Sequence, residues 1–529
     1  MMRAVNRVLT AAAAFAIATI AVIGATTALA KTVPLNGTVY VESNSAAPGS
    51  NEILAFPYRN GKLSAHGVRR YPTGGSGSHD LNNDGGLDAD QEIITNPSRT
   101  LLFAVNSSSD TIAVFHIHAG GGLTPVAGSP FPSNGKAPSS LGLAGSTLIV
   151  ANKAQDGVRD LTTTPANYTS FHVRADGSLS APISSIDVPP GSSPLQAYVT
   201  PDRKVLISSE ETGVFRAFRI GPGGTLTEGP NSPLRLARAV FPGGQRVGNV
   251  WPAGLVSNPH RKILYAEVAN LDEMIVYRWN DQARLAFVRA LPNPHAFLPC
   301  WTHVNAAGTR LYSGNAGSDN LTVFDSSRNP TDPREIQAVH LDAAGNPWNF
   351  ELDPSDRVLF ILDMRATRQV PPGRGNQLHA LRIGGGGRLT EERSSPVKVP
   401  VPVGTNPIGL AIVPRPAGPE APPRPRGRSE GHAVRGHAEV THADAICSMC
   451  RSSVPQHPPR IVRSGNLATS EAYWLASSYG SPSSSSVAAS SSSCPLDDAF
   501  ARTPRSRPRP GPPASSTCSK CVGWAQLIM

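Results

Sequence analysis

Seven copies of a two-strand phrase, glycine-leucine hairpins after most of them, and a leading strand displaced to the far end of the repeats predict an all-β protein, a closed seven-bladed β-propeller. A chain of 529 residues is long for one ordinary core but suits a radial array of small sheets. Glycine (49) and proline (50) are abundant and charged residues make up only 16%. That composition belongs to turn-rich sheet rather than to helices.

Residues 1–30 read as a signal peptide. Arg3 and Arg7 precede an apolar run from Val8 to Gly24, and Ala28-Leu29-Ala30 offers a small-x-small cleavage site before Lys31. The run is short for a bilayer span. The mature chain is therefore expected to be secreted or periplasmic, with no integral membrane span after cleavage.

The repeats occupy residues 31–414. The first copy is Val39 to Glu42 with Glu52 to Phe56, and the second is Leu101 to Asn106 with Thr111 to Ile117. Then come Leu148 to Asn152 with Ser170 to Val173, and Val205 to Ser209 with Val214 to Ile220. The last three are Ile263 to Glu267 with Met274 to Trp279, Leu311 to Asn315 with Leu321 to Phe324, and Val358 to Asp363 with Gln377 to Ile383. Equivalent positions recur at about 45–65 residues, the range of propeller blades. Gly61-Lys62-Leu63, Gly122-Leu123, Gly177-Ser178-Leu179, Gly224-Thr225-Leu226 and Gly387-Arg388-Leu389 supply the hairpins that lead to a fourth strand. The first copy lacks the innermost strand that precedes the others. Asn406 to Pro414 is that strand, and it is expected to complete the first blade and remove a free sheet edge.

The net charge of +10 does not point to nucleic acid. Of 48 basic and 38 acidic residues, 13 and 7 lie in 415–529 and two arginines lie in the leader, leaving 33 against 31 in residues 31–414. A nearly neutral body does not imply an electrostatic groove for phosphates. Cys300 is the one cysteine of that body, so internal disulfides cannot stabilise it. Residues 415–529 are rich in proline, arginine and serine and are expected to be a disordered tail. Cys447-x-x-Cys450 and Cys518-x-x-Cys521 are too widely separated for a zinc ribbon.

The "Pro-Asp-x-Lys" turn at Pro201, the "Phe-Ala-Val-Asn" strand at Phe103, the "Ile-Ala-Val-Phe" strand at Ile112 and the Gly-x-Leu hairpins resemble the lactonase family of seven-bladed propellers. That family includes bacterial 6-phosphogluconolactonases and fungal carboxymuconate-lactonizing enzymes, with YVTN-type repeat propellers nearby. The resemblance covers residues 35–414. It implies an arginine-histidine pair in a "Gly-Pro-Arg-His" strand and a glutamate ending the next strand. The corresponding segment here is Ser193-Pro194-Leu195-Gln196, ending at Glu210-Glu211, so leucine and glutamine stand at the arginine and histidine positions. A "Pro-His-x-His" motif of the family corresponds loosely to Pro299-Cys300-Trp301-Thr302-His303.

Alignment of the copies puts a polar residue at the same strand end in successive blades: Asn106, Asn152, Glu210, Asn315 and Asp363, with Glu267 one step earlier. As a ring at the channel mouth these would suit a sugar-like ligand, a cation or acid-base work; as strand caps they would only start Asx turns. Trp251, Trp301 and Trp348 occupy the leading strands of successive blades, either as an aromatic wall for a ligand or as inter-blade filling. Asp80, Asn82, Asp84 and Asp88 match the first half of an EF-type loop, whose twelfth position is Gln91 rather than glutamate. They are candidate ligands for a structural calcium; no cofactor is required. Two functions follow from the residues taken with the lactonase resemblance, which is what implies the lactone. One is an exported monomer that binds a small polar molecule and hydrolyses a lactone, with Glu211 or Glu210 directing water and His303 assisting. The other is a non-catalytic binding or scaffold propeller of the cell envelope, which Leu195 and Gln196 favour.

Overall fold

The computed structural model describes residues 35–79, 89–237, 240, 250–341, 345–364, 375–402 and 404–415. All of these belong to the first of two compact units, residues 1–426. Seven antiparallel sheets of four or five strands follow one another along the chain, which is the seven-bladed propeller the repeats predicted. Among the described residues no helix is long and apolar enough to cross a membrane.

The second strand of each blade carries the apolar run of the repeat. Leu101–Asn106, Thr147–Asn152, Val205–Glu210 and Val358–Met364 are buried along their whole length. Neighbouring blades cover both faces, so these strands read as unbroken hydrophobic runs instead of alternating ones. Side chains from facing blades merge into shared clusters, for example Leu101, Phe103 and Val105 with Leu141, Leu148 and Val150. Outer strands such as Leu179–Val188 alternate between burial and exposure, because one face meets water.

The ring closes as expected. Ile408–Pro414 is the innermost strand of the first blade and pairs antiparallel with Gly37–Glu42, Gly37 facing Pro414 and Tyr40 facing Ala411. Closure is tight: a Cβ at Gly37 would lie 2.5 Å from the Tyr58 hydroxyl and from the Val413 carbonyl. The fourth strand is less regular than the hairpins suggest. In the first, second, fourth and seventh blades it is replaced by two short strands, such as Leu123–Pro125 and Phe131–Pro132.

The remaining innermost strands are Ile93–Thr95, Pro138–Ala144, Tyr198–Val199, Pro252–Ser257, Pro299–Val304 and Asn346–Leu352. Most of them shift register near their start, between Pro138 and Ser140, Pro299 and Trp301, or Pro347 and Phe350. Such bulges re-aim side chains, and here they lie where the innermost strands meet a segment inside the channel.

Candidate functional site

Residues 89–92, just before the innermost strand of the second blade, span the channel. The Asp90 N–H donates to the Leu195 carbonyl at 3.1 Å, and the Leu141 N–H donates to the Gln91 carbonyl at 3.0 Å. Ser140 Oγ donates to the Asp90 carbonyl at 2.5 Å. Asn349 Nδ2 donates to Asp90 Oδ1 at 3.0 Å and to Glu92 Oε2 at 3.1 Å. Gln196 Nε2 donates to Asp90 Oδ2 at 3.3 Å. These partners come from the third, fourth and seventh blades, so the segment is a bar across the axis.

On the downstream side of this bar, where the innermost strands end, lies a cavity of about 280 Å³. Its polar wall is Asp90, Gln91, Arg99, His303 and Glu351; its apolar wall includes Leu143, Val199, Phe350, Leu352 and Leu410. The exposed lining is mainly polar, which suits a small polar ligand better than an apolar one. The His303 ring stands 4.9 Å from that of Phe350, tilted by 59°. Burial raises the Asp90 carboxyl above its ordinary range, with the nearby His303 opposing the rise. Burial also raises Glu351; His303 and Arg99 draw it down and Asp90 pushes it up. One imidazole therefore shares the cavity with a buried carboxyl, Asp90, a half-buried one, Glu351, and the Arg99 guanidinium. Such a cluster can accept, hold and return a proton.

Of the residues singled out from sequence, His303 alone lines this cavity. The polar ring lies elsewhere. Asn152 faces Pro138, Asn315 faces Pro299 and Asp363 faces Pro347, all at the upstream ends of the innermost strands, whereas His303 faces Tyr312 and Glu351 faces Phe360 further down. Every member of the ring is fully buried. Asn106 accepts from Asn51 and Thr73, Asn152 donates to Asn167, and Asn315 donates to Asn320. Glu210 is locked by Arg216 Nε at 2.6 Å and by the Tyr168 hydroxyl at 3.0 Å. Glu211 is paired with the fully buried Lys153 at 2.8 Å. Glu267 and Asp363 keep carboxylate oxygens without a hydrogen-bond partner. Burial pushes Glu267 up to about 8 and Asp363 well above its ordinary range. The hydroxyls of Ser313 and Thr302 oppose the rise at Glu267 but give their hydrogens to Asn315 and to the Tyr312 carbonyl.

Trp301 and Trp348 are fully buried and meet edge to face, with centroids 5.8 Å apart, in one core cluster with Leu195. Trp251 is partly exposed. Asp80, Asn82, Asp84 and Asp88 lie outside the described residues, and among the described residues no group of three or more His, Cys, Asp or Glu is placed to hold a metal ion. Sequence reasoning missed Arg99 and Glu351 altogether. The available signal was the polar-apolar alternation Asn349-Phe350-Glu351 within an innermost strand, which puts both polar residues on the channel face.

No family profile matches the chain. No curated protein matches it either. Solved structures do. A candidate 6-phosphogluconolactonase from Bacteroides fragilis aligns over 72% of this chain and 98% of its own, with TM-score 0.52 and 18% identity. The periplasmic gluconolactonase of Pseudomonas aeruginosa aligns over 72% and 100%, with TM-score 0.53 and 17% identity. A second candidate 6-phosphogluconolactonase, from Bacteroides uniformis, aligns over 72% and 99%, with TM-score 0.51 and 14% identity. The chain thus has the fold of 6-phosphogluconolactonase- and gluconolactonase-type propellers, as its motifs implied. At this level of identity the likeness is one of fold.

Proposed function

We propose that this propeller hydrolyses a small lactone in the His303 cavity. The observation that carries the reading is that the His303 imidazole, the Glu351 and Asp90 carboxyls and the Arg99 guanidinium line one cavity of about 280 Å³. In this reading His303 takes a proton from water as the water oxygen bonds to the lactone carbonyl carbon. Asp90 and Glu351 stabilise the imidazolium that results, and Arg99 faces the negative charge growing on the carbonyl oxygen. When the ring C–O bond breaks, the proton passes to the leaving alkoxide, leaving a hydroxy acid. Glu210 and Glu211 are not used, since each is already paired with a cation. The arginine-flanked leader supports export to the periplasm or beyond, and one of the similar propellers is periplasmic.

A second reading, a binding propeller without turnover, is favoured by one observation. Leu195 and Gln196 stand where the family resemblance places arginine and histidine; Leu195 is core, and Gln196 is engaged with the bar. A panel of five- and six-membered lactones assayed by base consumption separates the two. Turnover that falls about a hundredfold or more in His303→Asn and Glu351→Gln supports hydrolysis. No turnover by the wild type, or turnover indifferent to both substitutions, leaves the binding reading.

A further inference from the structure

The carboxylate of Asp90 is held oxygen by oxygen. Asn349 Nδ2 reaches Oδ1 at 3.0 Å from the seventh blade, and Gln196 Nε2 reaches Oδ2 at 3.3 Å from the fourth. Neither amide is free to turn over. The Gly409 N–H donates to Asn349 Oδ1 at 2.8 Å, and the Leu255 N–H donates to Gln196 Oε1 at 2.6 Å. Because a backbone N–H can only donate, each side-chain oxygen must face it, and each NH₂ must then face the bar: that of Asn349 lies against Asp90, Glu92 and the Ala89 carbonyl, and that of Gln196 against Asp90, the Gln91 side-chain oxygen and the Leu255 carbonyl. Asn349 and Gln196 are themselves 1% and 2% exposed, so water cannot replace them. Backbone bonds at Leu195 and Ser140 fix the main chain of Asp90 as well.

We propose that Gln196 and Asn349 are positioning residues for the His303 site: they clamp Asp90 so that its carboxylate is presented to the imidazole across the channel. The assignment rests on the reading that His303 is the proton acceptor. It gives Gln196 a role of its own at a position where the lactonase resemblance places a histidine. The titratable groups around Asp90 are Glu92, Glu351 and His303, with Glu42 and Lys153 beyond Glu92 and Arg99 beyond Glu351. A buried carboxyl among other carboxyls keeps its orientation only while donors hold it. Gln196 supplies one donor without bringing a charge of its own.

Gln196→Met keeps the length of the side chain and removes its amide, both the donor to Asp90 and the acceptor of the Leu255 N–H. With the lactone the wild type turns over, kcat is expected to fall about tenfold or more while KM stays within about threefold, since the group that is lost holds Asp90, the partner of the base, and does not touch substrate. The ring signal of His303, read by NMR on histidine-labelled protein at one pH and assigned by its loss in His303→Asn, reports the clamp without any turnover. It is expected to move in Asp90→Asn and to move in the same direction in Gln196→Met. A His303 signal unmoved by Asp90→Asn overturns the proposal, as does one moved by Asp90→Asn but not by Gln196→Met. If Gln196→Met does not fold, the pair Asp90→Asn and Asn349→Ser is read in the same way. Absence of turnover in the wild type would remove the lactone reading alone, because the ring signal still decides the clamp.

Discussion

Glu267→Gln should stabilise the propeller, and by an amount that grows with pH. Both carboxylate oxygens of Glu267 are buried without a hydrogen-bond partner, and burial pushes the group from its ordinary 4.5 up to about 8. Between these two values the folded protein holds a proton that the unfolded chain has released. Stability therefore falls as pH rises from 4.5 and levels off only above about 8. At about 1.4 kcal/mol per pH unit, the loss at pH 7 reaches about 3 kcal/mol. Glutamine has the same shape and no charge to lose, and the Ser313 and Thr302 oxygens can accept from its NH₂. The assay is the thermal midpoint of wild type and variant between pH 5 and pH 8.5. The two should nearly coincide at pH 5 and separate by several degrees at pH 8, with the variant higher. A difference that does not change with pH, or a variant that melts lower at pH 8, would refute the reasoning.

Three further outcomes follow from buried contacts. Arg216→Met leaves Glu210 buried without its guanidinium partner and should cost about 3–5 kcal/mol by denaturant midpoint; adding Glu210→Gln should recover part of the loss. Trp301→Ala removes a fully buried indole and should cost about 3–5 kcal/mol, while Trp251→Ala, at a partly exposed side chain, should cost clearly less. A chain ending at Thr405 lacks the strand that closes the ring and should lose the cooperative melt of a chain ending at Arg415, with a peptide of residues 406–415 restoring it in trans. Equal melting of the two chains would mean that the ring does not depend on that strand.

The seven repeats, the order of strands within each blade and the closing role of the segment before Pro414 were legible from the sequence alone. Those features are local or periodic: a turn, an apolar run and a glycine hairpin announce themselves within about a dozen residues, and the missing first strand shows as a gap in the period. The polar strand ends were legible as a set, but not their surroundings. A residue that ends a second strand looks the same in sequence whether it faces a channel or a neighbouring blade, and here neighbouring blades bury all of them. The candidate site was less legible still. Asp90 and Asn349 are 259 positions apart and meet only because the ring brings the second and seventh blades to one axis. His303 could be named from its strand, but its partners could not, since Arg99, Glu351 and the bar at 89–92 are assembled by closure and by no spacing along the chain. Repeat chemistry thus determined the propeller, while curvature of the ring decided which side chains share a cavity.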